Sequence, residues 1–115
     1  MSPTITPRNR FHAYAVALEL VRSVSPLVEA IRRRDADLAR QISRALASIP
    51  LNVAEGNRRL GRDRRHLFSV AAGSNDEVRA ALDVAAARGF VSERRIAAAL
   101  ELADREAAML YRLTH

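Results

Sequence analysis

Residues 48–59 read SIPLNVAEGNRR. Ile49, Val53 and Gly56 keep a helical rhythm, yet Pro50 falls where a helix loses a backbone donor. Asn52 and Glu55 place polar groups beside an apolar run. The stretch is therefore a broken helix, a reactive site or a packing signature, and its surroundings decide. Upstream, Leu38, Ile42 and Ala45 continue the same apolar stripe, and Asp35 is a good N-cap. The spacing predicts one helix over residues 35–59, with Pro50 inside it.

Three more helices follow from the same rhythm. The first spans 7–33, with Phe11, Ala15, Leu18, Val21, Val28 and Ile31 as its apolar face. Pro26 interrupts it near its middle, and Ser25-Pro26 is compatible with either a new short helix or a kink. The third spans 62–88, with Leu67, Val70, Ala71, Ser74, Val78, Leu82 and Ala85 inward and Gly89 as its stop. The fourth spans 92–113, capped by Ser92, with Ile96, Leu100, Ala103, Ala107 and Leu110 as its stripe. Connections near Arg34, Leu60-Gly61 and Phe90-Val91 are short, which makes neighbouring helices antiparallel. The expected fold is an all-α, up-down-up-down four-helix bundle in one domain over residues 1–115, with 1–6 flexible.

Composition narrows the function classes. The 115 residues are 49% hydrophobic but only 4% aromatic, so the core is built from Ala, Leu, Val and Ile. There is no cysteine, which excludes disulfides and thiolate metal sites. No run approaches the roughly 18 apolar residues of a membrane span. The N-terminal MSPTITPRNR has no signal-peptide core, so the expected compartment is a bacterial cytoplasm. Net charge is +6, and every basic residue is arginine. Arginine grips phosphate through a planar fork and stacks on bases.

On the second helix Arg44, Ser48, Asn52 and Glu55 form a polar ridge beside the core stripe. Folding the hairpin at Leu60-Gly61 sets Ser48 opposite Gly73, Arg44 opposite Glu77 and Glu55 opposite His66. Gly73 then permits close backbone approach, and Arg44 and Glu77 pair in a partly dry seam. The carbonyl that Pro50 frees near Leu46 is open to an Arg or Ser donor. On this reading Ser48, Pro50, Asn52, Glu55, Gly56, Gly73, Ser74 and Glu77 join helices or subunits.

These residues resemble a known family. SIPLNVAEG on the second helix and GSNDE, Gly73 to Glu77, on the third resemble the paired signatures of the 23S rRNA intervening-sequence proteins. That small four-helix-bundle family includes the accessory variability determinants of diversity-generating retroelements. Arg44-Ala45 and Gly89-Phe90-Val91 fit the pattern, and the likeness runs from about Phe11 to Leu113. It implies a ring-like homopentamer with a basic surface. Retroelement members bind nucleic acid and partner a reverse transcriptase. Using arginine alone as the base departs from many relatives.

In an antiparallel bundle the arginines collect at two ends. One holds Arg8, Arg10, Arg58, Arg59, Arg62, Arg64, Arg65 and Arg112, the other Arg32, Arg33, Arg34, Arg88, Arg94 and Arg95. The first end, with five arginines in GNRRLGRDRRH, is the better candidate for RNA or DNA. Few aromatics lie among these arginines in sequence, so phosphate contact is expected without base stacking. Several of the arginines also sit at helix C-termini, where a cation simply complements the dipole. The alternative is a scaffold whose arginines meet an acidic protein.

Catalysis has little support. No cofactor or metal pattern is present, and His12, His66 and His115 are scattered. Glu55 facing His66 is the one conceivable acid–base pair, and a polar contact across the hairpin is the preferred account of it. Tyr14 and Tyr111 read as partly buried packing residues with wet hydroxyls.

Overall fold

The computed structural model describes residues 7–115, so the expectation for residues 1–6 lies outside the described residues. Four helices follow in order: α1 Pro7–Arg32, α2 Ala36–Asn57, α3 Gly61–Ala87 and α4 Glu93–Thr114. Each packs on its chain neighbour, and α4 returns against α1 to close the square. The result is a four-helix bundle of 46 × 22 × 18 Å, with no strand among the described residues. No described helix is long and apolar enough to cross a membrane.

Local chemistry sets the helix ends. The Asp35 carboxylate accepts from the Leu38 backbone N–H at 3.0 Å and opens α2. Ser92 does the same for α4, accepting from Arg95 N–H at 3.2 Å. Gly61 (φ 57°) and Gly89 (φ 76°) adopt the left-handed backbone that the turns beside them require. At Gly89 the N–H groups of Gly89 and Phe90 bond back to Ala86 and Ala85 carbonyls, both at 2.9 Å. That is a Schellman closure of α3.

Neither proline ends a helix. α1 continues unbroken across Pro26, so no new helix opens there. Pro26 and Arg22, one turn apart, are both exposed, so the carbonyl without a donor lies on the wet face. Pro50 is buried within α2. Among the described residues no side chain bonds the Leu46 carbonyl. The side-chain donor nearby, Asn52, goes to the Ser48 carbonyl and hydroxyl at 2.8 and 2.9 Å.

The core stripes of α2 and most of α4 lie where expected, with Ile42, Ile49, Val53, Ile96, Ala103 and Leu110 buried. The α1 face is rotated, and in α3, where Ala71, Val78, Leu82 and Ala85 are buried as expected, two positions differ. In α1 the buried side chains are Ala13, Val16, Ala17, Leu20, Val24, Leu27, Val28 and Ile31, while Phe11 is 69% exposed. This helix is apolar over so wide an arc that its period admits more than one stripe. In α3 Phe68 fills the core, and Val70 faces outward.

The interior falls into two apolar clusters. The larger runs from Ala17 to Ile31 on α1 and takes in Ala39–Ile49, Val78–Val91 and Ile96–Ala103. The smaller joins Ala13, Val53, Phe68, Ala71, Leu110 and Leu113 at the other end. Two fully buried polar residues, Asn75 and Glu106, lie between them in chain position.

Candidate nucleic-acid interface

The N-terminus of α1, the α2–α3 turn and the C-terminus of α4 share the end built on the smaller cluster. Leu60 is extended and Gly61 turns left-handed, so the chain reverses within Arg58–Gly61. That tight reversal sets Arg58 and Arg59 at the end of α2 beside Arg62, Arg64 and Arg65 at the start of α3. Arg58, Arg59, Arg62, Arg65 and Arg112 are exposed, and Arg10 and Arg64 are half-buried. The side chain of Arg8 lies outside the described residues.

Arg64 donates from Nε to the Gly56 carbonyl at 3.4 Å, which fixes its guanidinium over the end of α2. Its pKa is held below the usual arginine value, first by partial burial and second by the charge of Arg10. Among the described residues Arg59 alone of this group has a carboxylate partner, Glu55 at 3.1 Å. Such an exposed pair contributes at most about 1 kcal/mol. Arg10, Arg58, Arg62, Arg64, Arg65 and Arg112 form no ion pair among the described residues.

The opposite end is more self-satisfied. Arg32 lies 3.6 Å from Glu29. The guanidinium carbons of Arg34 and Arg88 stand 5.4 and 5.2 Å from the centroid of Phe90. Three of that end's six arginines thus already have a partner within the chain.

The polar ridge is real but shorter than expected. Ser74 donates to the Ser48 hydroxyl at 2.8 Å across the α2–α3 interface, and Asn52 braces Ser48 from one turn further along. Arg44 and Glu77 do not pair; both are exposed, and in water nothing obliges them to meet. Gly73 gives no close approach, since a Cβ there would meet nothing within 4 Å. Close approach occurs at Gly56 instead, against Phe68. Glu55 and His66 line one open depression with Arg59, Asp63 and Leu67, but no hydrogen bond joins them.

Two residues escaped the sequence reading. Asn75 donates from Nδ2 to the Ala103 carbonyl at 2.9 Å, linking α3 to α4. Glu106 is fully buried with both carboxyl oxygens unpartnered, and burial pushes its pKa up to about 8. The missed signal was a polar residue on an apolar stripe. Asn75 falls between Ala71 and Val78, and Glu106 between Ala103 and Leu110.

The family model of the 23S rRNA-intervening sequence protein matches residues 9–112, from the first turn of α1 to the last of α4. This chain belongs to that family. The match takes in the Ser48–Asn52–Ser74 network and the described arginines at both ends of this 23S rRNA-intervening sequence protein. No curated protein is similar enough to supply a closer relative.

Proposed function

We propose that this chain is a non-enzymatic, oligomeric accessory protein that binds RNA or DNA through its Arg10–Arg64 end. The observation that carries this reading is the set of arginines there without carboxylate partners among the described residues. A polyanion that meets such a surface releases its own counterions on binding. The family resemblance adds a homopentamer, which would repeat the arginine end around an axis, and a reverse transcriptase as the partner of retroelement members. The acid–base alternative at Glu55 and His66 has no direct contact to support it, and Glu55 is engaged by Arg59.

The test is binding to a labelled oligonucleotide as salt is raised. Affinity should fall steeply, with a logarithmic slope of about −0.7 to −0.9 per phosphate contacted. Replacing Arg58, Arg59, Arg62, Arg64 and Arg65 by Gln should weaken binding and flatten the slope while the helical signal is kept. Absence of binding at low salt would sink the reading. Capture of one acidic protein, insensitive to nuclease, would favour the scaffold. Light scattering should give five times the 12.7 kDa of one chain.

A further inference from the structure

Phosphate contacts alone do not distinguish a duplex from a single strand, so the rest of this end is informative. The chain has five Phe and Tyr rings, three Phe and two Tyr. Phe68 is fully buried, Tyr14 packs on the smaller apolar cluster, and Phe90 lies beside Arg34 and Arg88 at the far end. The other two are Phe11, 69% exposed, and Tyr111, 61% exposed, and both stand at the end rich in unpaired arginine. From sequence, few aromatics were expected among these arginines, and Tyr111 was expected to be partly buried.

The Tyr111 ring is also held in place. It stacks on His115 with centroids 4.0 Å apart and planes 16° from parallel. The His115 Nδ1 is 3.1 Å from both the Tyr111 carbonyl and the Thr114 hydroxyl. Thr114 in turn donates to the Leu110 carbonyl at 2.8 Å. One face of Tyr111 is thus occupied, and the other is free to extend the stack. A crevice between α1 and α4 is lined by His12, Met109, Arg112 and Leu113. Neither Phe11 nor Tyr111 lines that crevice; Arg112, one residue beyond Tyr111, stands at the same end of the bundle as both exposed rings.

We infer that this end takes single-stranded nucleic acid in preference to duplex, with Tyr111 and Phe11 as platforms for unpaired bases and the arginines of the same end on the phosphates. Bases in a duplex are stacked on one another and offer no free face. An unpaired base offers one whatever its identity, so the preference is for strandedness and not for sequence. The inference rests on the proposed nucleic-acid function of the arginine end.

The test compares a 12-nucleotide oligouridine with a duplex of equal length, by fluorescence anisotropy at one low salt concentration. The single strand should bind at least about tenfold more tightly. Tyr111→Ala and Phe11→Ala should each cost about five- to a hundredfold in single-strand affinity, as expected for loss of one stacked base. Duplex affinity and the salt slope should not change, and Tyr111→Phe should restore binding. Equal affinity for both forms, or unchanged single-strand binding by both Ala variants, would overturn this inference and leave the arginine interface standing. Loss of binding to every nucleic acid would remove both. A changed solution mass in the double Ala variant would also overturn it, because the rings would then be subunit contacts.

Discussion

A Cβ placed on Gly56 would stand 2.7 Å from Cε1 of Phe68 and 2.9 Å from its Cδ1, inside the distance at which carbon atoms pack. The Phe68 ring is fully buried and has no room to yield. Gly56→Ala should therefore destabilise the protein by about 1–3 kcal/mol, the usual penalty for overpacking a core. Gly73→Ala is the contrast, because that position is open. It should stabilise by about 0.5–1 kcal/mol, the helix preference of Ala over Gly. Urea unfolding of the two variants checks both signs.

Glu106 predicts an unusual pH dependence. Its folded pKa, raised by burial to about 8, lies above the ordinary carboxylate value of 4.5. The folded state therefore holds a proton that the unfolded chain has released, and stability falls as pH rises through that window. The full penalty, reached above pH 8, is bounded at about 5 kcal/mol by the size of the shift. Glu106→Gln keeps a neutral amide of the same shape. Its stability relative to the parent should be near level at pH 4.5 and rise steadily towards pH 8. Denaturant unfolding across that range gives the difference, and a constant offset would remove the claim.

Across the α2–α3 interface, Ser74 and Ser48 share a 2.8 Å hydrogen bond that Asn52 braces. Ser74→Ala leaves the Ser48 hydroxyl with one partner fewer in a half-buried seam and should cost about 1 kcal/mol. A double-mutant cycle with Ser48→Ala should show a coupling of about 0.5–1.5 kcal/mol. Additive effects would mean the bond contributes nothing.

The exposed Arg44 and Glu77 make a weaker claim on stability. Arg44→Gln and Glu77→Gln should each shift unfolding by less than about 0.5 kcal/mol, as surface changes do. A larger loss that grows with protein concentration would place them between subunits.

How far the sequence was legible follows from these particulars. Helix number, order and ends were readable because Asp35, Ser92 and Gly89 act through local chemistry. Register set Ser48 opposite Gly73, one residue from the Ser74 that bonds it. Two antiparallel helices joined by a short turn have a definite register, but a side chain can reach one place along. The face of α1 was not, since a helix apolar over most of its circumference carries too little contrast. Phe68 and Leu67 are adjacent and both apolar, so only the packed bundle shows which side chain fills the core. The close-packed glycine was misplaced for a similar reason. Gly56 and Gly73 look alike in sequence, and the difference lies in what stands opposite each. Arg44 and Glu77 were brought together by register alone, but register does not oblige exposed charges to pair.

The unequal division of the interior has a consequence for motion. Among the described residues the larger cluster contains nineteen buried side chains and the smaller one six. Opening free energy scales with the apolar contacts broken, so the two halves should differ in amide hydrogen exchange. Amides in the last turns of α2 and the first turns of α3 should exchange through partial openings that leave Leu20, Ile42 and Leu82 protected. The half that frays first is the half that carries the unpaired arginines. A bound polyanion would then register as slowed exchange in that half, with little change in the other.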